Sequence, residues 1–213
     1  VINPTNLTTK LIPKSLIKFL HATPCLNFQS IVVDNNTKVF QMKNYNKIMI
    51  IGCSGSGKST LARKLSQKID VQVFHLDTLL WHDNWEMSSK DEQHHVISNV
   101  LDKDQWIIDG NYSATLDMRV AKADTIVFID RSKVLCLYNV FKRYIHYKGQ
   151  SRPDMHDNCP EKIDFEFVRW IWTFNKKRKP AIIRMLATVQ NSKSVVVLKS
   201  NRQIDYFLKS IQK

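Results

Sequence analysis

Apolar residues along this chain fall into short unbroken runs separated by stretches of helical periodicity. The run Lys47-Ile48-Met49-Ile50-Ile51 is fit for a buried parallel strand. Residues 58–69 follow it with Leu61, Ala62, Leu65 and Ile69 on one helical face. Further strands are predicted over 71–76, 106–109, 125–130 and 194–198, with helices over 91–101, 133–147 and 204–211. A long helical pattern over 165–189 is interrupted near Pro180. Residues 149–161 are polar, contain Pro153 and Pro160, and read as a loop. Strands alternating with helices imply a parallel sheet with helices on both faces. In such sheets ligands sit beyond the carboxyl ends of the strands. Asp77, Asp109 and Asp130 all follow predicted strands on that rim.

The pattern fails over residues 1–41, where Pro4, Pro13 and Pro24 break any period and Asp34 is the one acid. Leu16 to Leu20 is too short for a signal core, since His21 and Pro24 end it, and a stretch without Arg makes a poor transit peptide. Met42 is read as the natural start. Residues 1–41 are then an N-terminal extension, disordered or not natively translated, and residues 42–213 form one domain.

Length and composition change this picture little. The 213 residues suit a single domain, and 43% hydrophobic content is enough for a core. Charge adds more. The net +13 is concentrated in residues 131–213, which hold 18 basic and 6 acidic side chains. Such an excess could bind nucleic acid, line a polyphosphate site, or be a solvated surface. Cys25, Cys53, Cys136 and Cys159 form no C-x-x-C pair, which fits a reducing cytoplasm. No apolar run approaches 18 residues, so no membrane span is expected.

The chemistry is carried by Gly52-Cys53-Ser54-Gly55-Ser56-Gly57-Lys58-Ser59, followed by Thr60. This is a complete G-x-x-x-x-G-K-S phosphate-binding loop between a strand and a helix. Its glycines let backbone N–H groups approach phosphate oxygens, and the helix N-terminus adds partial positive charge. Lys58 is expected on the β- and γ-phosphates of ATP, and the Ser59 hydroxyl on Mg²⁺. Asp109, ending an Ile-Ile-Asp strand, is the candidate to order Mg²⁺ through water, although a cap or turn acid would look the same. Asp77 could hold an acceptor hydroxyl or act as base. Arg119, Arg143 and Arg152 are candidates to grip phosphoryl oxygens, with Arg152 inside the polar loop where a lid would supply one. His146, His156 and Cys159 match no standard zinc spacing. The aromatic segment Phe165, Phe167, Trp170, Ile171, Trp172 and Phe174 reads as a packed helix before it reads as a base-stacking platform.

From Lys47 to about Leu208 the chain resembles the bacterial DNA topology modulation proteins of the FlaR type, a branch of adenylate-kinase-like P-loop proteins. The residues carrying the resemblance are 50–65, His75-Leu76-Asp77 with Trp81 and Trp85, residues 106–112, Thr115-Leu116-Asp117-Met118-Arg119, Ala123-Asp124-Thr125-Ile126, Arg152-Pro153-Asp154-Met155, Cys159-Pro160-Glu161, and residues 167–172. The resemblance implies a three-layer α/β/α nucleotide-kinase-like fold with a five-stranded parallel sheet and a short lid near residues 148–164. It maps an Asp-Gly pair onto Asp109-Gly110, and a pre-lid Arg onto Arg143. Adenylate kinases continue that pair with Phe-Pro-Arg, whereas this chain has Asn111-Tyr112-Ser113, so the likeness does not extend to an AMP acceptor. Two functions follow as expectations. One is a Mg²⁺-dependent ATP phosphotransferase acting on a small-molecule or nucleotide acceptor. The other is a nucleotide-dependent DNA-binding regulator using the basic C-terminal part.

Overall fold

The computed structural model describes residues 31–32 and 45–211. Apart from 31–32, the predicted extension and Cys25 lie outside the described residues. The five expected strands form one parallel sheet. They are β2 (Lys47–Gly52), β3 (Val73–His75), β6 (Trp106–Asp109), β7 (Thr125–Ile129) and β8 (Ser194–Leu198). A two-residue strand, β1 (Ile31–Val32), pairs parallel with β8, giving the order β1-β8-β7-β2-β6-β3.

Alternation along each strand sorts the core into two layers. On β2, Ile48 and Ile50 face one side and Met49 and Ile51 the other. The first side packs against α1 (Lys58–Ile69) and α8 (Asn201–Ser210), through Leu61, Leu65 and Phe207. The second packs against α3 (Lys90–Leu101), α5 (Lys133–His146), α6 (Phe165–Lys177) and α7 (Lys179–Val189). The result is the expected three-layer α/β/α arrangement. Strand β2 lies between β6 and β7, so the chain leaves it toward opposite edges. That places the loop after β2 at a topological switch point, where such sheets open a crevice.

Several boundaries differ from the sequence pattern. The second strand is shorter than predicted, because Leu76 and Leu80, both fully buried one turn apart, begin α2 (Leu76–Leu80). Asp77 therefore sits in the first turn of a helix. A small hairpin, β4 (Trp81–His82) and β5 (Glu86–Met87), follows, with Asn84 and Trp85 in left-handed backbone at its tip. Helix α4 (Leu116–Lys122) has no counterpart among the elements the pattern predicts. Pro180 opens α7 within its first two positions, where its missing N–H costs nothing. Ser89, Ser132, Asp164 and Ser200 each accept a backbone N–H at the start of α3, α5, α6 and α8. Among the described residues no helix is long and apolar enough to cross a membrane.

Candidate active site

Residues 52–57 leave β2 and turn directly into α1. Two glycines on this rim are required by close packing. A Cβ on Gly55, whose φ is +76°, would lie 2.3 Å from the Cys136 carbonyl oxygen of α5. One on Gly110 would lie 2.8 Å from Cβ of Leu76, beside Asp77. Helix α1 has no side-chain N-cap, so its first N–H groups keep their donors for a ligand. The Ser56 hydroxyl is buried inside the loop without a partner. Lys58 reaches back to the Cys53 carbonyl at 3.1 Å. Uncapped amides, an orphaned hydroxyl and a lysine within the loop are a donor set suited to phosphate oxygens.

The turn after β6 holds this loop in place. Asn111 accepts a hydrogen bond from the Gly52 N–H at 3.1 Å and donates to the Gly52 carbonyl at 2.7 Å. The turn in turn rests on Arg119. This guanidinium is fully buried and donates to the carbonyls of Gly110, Asn111, Tyr112 and Thr115. Burial pulls its pKa down to about 10, although the Tyr112 hydroxyl opposes this, so it stays charged at neutral pH. Arg119 therefore differs from the expectation of a phosphate-gripping arginine. It faces inward, and backbone carbonyls occupy its donors.

Asp109 is brought to the rim at the end of β6, almost fully buried, and pairs with His75 at 2.6 Å. Burial alone would lower the His75 pKa. The hydrogen bond and charge of Asp109, helped by Asp154, outweigh it and leave the pKa raised. Asp109 and the Ser59 hydroxyl are a hard-oxygen donor set of the kind Mg²⁺ takes.

A second cluster stands on the same rim. Asp77 accepts a hydrogen bond from the Tyr112 hydroxyl at 2.7 Å and a charged one from Arg152 at 2.5 Å. Trp81 donates its indole N–H to the same Tyr112 oxygen at 2.8 Å. Burial, then the Asp77 charge, raises the Tyr112 pKa, so the phenol remains a donor. Arg152 also binds Glu161 at 3.1 Å, and Arg143 holds the other Glu161 oxygen at 2.6 Å. Burial disfavours charge on Arg152, but Asp77, Asp154 and Glu161 more than compensate and raise its pKa.

The predicted loop is where these clusters meet. Asp154 faces the Ser59 hydroxyl of the phosphate loop. Burial would raise its pKa, yet Arg152, Ser59 and His75 hold it below the usual carboxylate range. The far end of the loop docks on the β4–β5 hairpin. The Asn84 N–H donates to the Asn158 carbonyl, Trp85 to the Pro160 carbonyl, and the Cys159 thiol to the His82 carbonyl. His156 lies 3.4 Å from Asp83.

Of the residues singled out from sequence, Lys58, Ser59, Asp77, Asp109, Arg143 and Arg152 converge on one rim with Gly52, Ser54, Gly55, Ser56, Gly57 and Thr60. His75, Asn111, Tyr112, Trp81, Asp154 and Glu161 had been given no role. All six stand among the quoted motif residues, but their contacts are not local. His75, Asn111, Tyr112 and Trp81 have partners 31 to 59 residues away, and Asp154 and Glu161 reach out of the loop to Ser59 and Arg143. Asp130 is ion-paired with Lys179 at 2.8 Å, and the aromatic segment is helix α6, with Ile171 and Phe174 in the core.

No family model and no curated protein matches the chain. Among solved structures it is similar to a shikimate kinase from Acinetobacter baumannii in complex with shikimate, at 11% identity and a TM-score of 0.53, covering 79% of this chain and 91% of that one. A gluconokinase from Sinorhizobium meliloti matches at 12% identity, TM-score 0.43, over 78% of this chain and 89% of that one. A deoxyadenosine kinase from M. mycoides with bound dCTP matches at 14%, TM-score 0.37, over 76% and 96%. The first of these likenesses supports the P-loop kinase-like fold.

Proposed function

We propose that this chain is a Mg²⁺-dependent phosphotransferase that moves the γ-phosphoryl group of ATP to a hydroxyl of a small molecule or nucleotide. The observation that carries this reading is the pairing of two clusters by one loop. Asp154 meets the phosphate-loop serine, and Arg152 meets Asp77, two residues apart in sequence. A simple nucleotide-binding module needs no polar cluster facing its phosphate loop.

The roles follow from the contacts. Lys58 and the amides of residues 55–60 bind the phosphates. Ser59, with Asp109 acting through water, would hold Mg²⁺, which neutralises charge on the β- and γ-phosphates. His75 fixes the rotamer of Asp109. Asp77 binds the acceptor hydroxyl and takes its proton as the oxygen–phosphorus bond forms and the bond to ADP breaks. The acceptor displaces Arg152 from Asp77, which frees the carboxylate and gives the guanidinium to the transferring phosphoryl oxygens. Arg143 and Glu161 position Arg152 for that exchange. Arg119 supports the turn and touches no reactant.

Among the described residues no contact favours the DNA-linked reading. Many of the basic groups of residues 131–213 have partners within the chain. Arg131 bonds the Lys199 carbonyl, Lys193 the carbonyls of Ala121 and Ala123, and Lys133 lies 3.5 Å over the Trp172 ring. The topology-modulation resemblance adds no chemistry to the site.

The test is ADP release from ATP and Mg²⁺ by the full chain, with nucleosides, nucleotides, sugar acids and other hydroxyl compounds added singly. One acceptor should stimulate release, and Lys58→Ala should abolish it. Asp77→Asn should lower kcat by about 10²–10⁴-fold with ATP binding intact. Stimulation by duplex DNA alone would overturn the reading.

A further inference from the structure

Helix α5 supports the site with its inner face. Asn139 donates to the Gly55 carbonyl at 2.8 Å, and Arg143 holds Glu161. Its outer face is unusual. Val134, Tyr138, Phe141 and Ile145 are 64%, 62%, 59% and 62% exposed. Lys142 and His146 are the only basic or acidic residues exposed along the helix. A solvent-facing helix surface is ordinarily polar. On the neighbouring helix α6, Phe165 and Trp172 are also exposed, with the exposed Arg169 about one turn from each and Lys133 over the Trp172 ring.

We infer that this patch joins two copies of the chain about a two-fold axis crossing α5 between Tyr138 and Phe141. The spacing of the stripe carries the inference. Steps of 4, 3 and 4 residues read the same from either end. An antiparallel pair of α5 helices therefore sets Val134 on the second copy's Ile145, and Tyr138 on the second copy's Phe141. That is the self-complementarity a two-fold interface requires, with the 3–4 alternation of a helix-packing seam. The area also suffices. Burying an aromatic side chain removes about 150–250 Å² from water, so at their exposures Tyr138, Phe141, Phe165 and Trp172 supply on the order of 500 Å² per copy. Val134, Ile145 and a polar rim bring this toward the roughly 800 Å² per partner of a stable interface. Along α5, Lys142 does not oppose it, because it falls opposite residue 137 and the two lysines are offset by about 7.5 Å along the helix. The inference does not depend on the phosphotransfer reading.

Sedimentation of the full chain at micromolar concentration tests it. A species of twice 24.9 kDa is expected. Phe141→Glu should raise its dissociation constant by at least about 100-fold while leaving the circular dichroism melt in place. A second test does not rely on that variant. Mixing Val134→Cys with Ile145→Cys under mild oxidation should cross-link the two variants to each other in preference to themselves. A monomeric wild-type chain at that concentration overturns the inference, as does cross-linking of Val134→Cys to itself alone. A monomer that instead binds lipid vesicles through the stripe, or that dimerises only after removal of residues 1–30, also overturns it and names the other occupant.

Discussion

Asp109 and Arg119 show how differently two buried charges are used on one rim. Asp109 has a titratable partner in His75, and the pair carries a pH signature. His75 has an ordinary pKa of 6.5, raised in the folded chain. A base with a raised folded pKa stabilises fully below its unfolded pKa and loses that contribution as pH rises through the folded one. Urea-unfolding free energy, measured with a chelator present, should therefore show a wild-type advantage over His75→Asn that shrinks above pH 6.5. In Asp109→Asn the imidazole midpoint, followed by NMR, should fall below that of wild type, since burial is then the dominant influence. Arg119 has only uncharged oxygens, four carbonyls and the Thr115 hydroxyl. Arg119→Met would leave the Gly110, Asn111 and Tyr112 oxygens without their donor and should cost about 2–3 kcal/mol in urea unfolding. Arg119→Lys should recover only part of this, because a single ammonium cannot reproduce the planar fork.

At the scale of elements, the loop over 148–164 is held at both ends, and its middle bridges the phosphate loop and Asp77. Arg152→Gln should therefore act on turnover more than on folding. Its expected mark is a loss of about 10²-fold or more in kcat/KM, with a smaller change in the affinity for ATP measured by calorimetry. The bridge also explains which elements were legible in the sequence. Strands β2, β6, β7 and β8 are buried on both faces, so each is an apolar run with a clear end. The phosphate loop is legible because its chemistry is local, with loop, lysine and serine within eight residues. The β4–β5 hairpin is not legible, because its two-residue strands leave no period and its partners in the loop are about 75 residues on. His75 was hidden for the same reason, as it reads as one more strand residue until Asp109 is set beside it. Arg119 misled because an arginine in a short helix looks the same whether it faces phosphate or carbonyls.

Across the whole molecule, the central position of β2 couples ligand binding to global stability. The phosphate loop leaves one of the two central strands of the sheet and packs on α5, so unfolding anywhere in the core dismantles it. ATP then binds the folded chain alone, and linkage sets the size of the effect. At 100 times its dissociation constant a ligand adds about 2.7 kcal/mol. For a chain of this size that corresponds to about 5–10 °C in Tm. Thermal melts of the full chain should show such a shift with ATP and Mg²⁺, a smaller one with a chelator, and none in Lys58→Ala. Asp77→Asn should keep the shift, because its contacts lie on the acceptor side of the rim. A shift that persists in Lys58→Ala would put the nucleotide somewhere other than the loop. One lost in Asp77→Asn would make the two clusters a single binding site, and the loop that bridges them would then report ATP as well as acceptor.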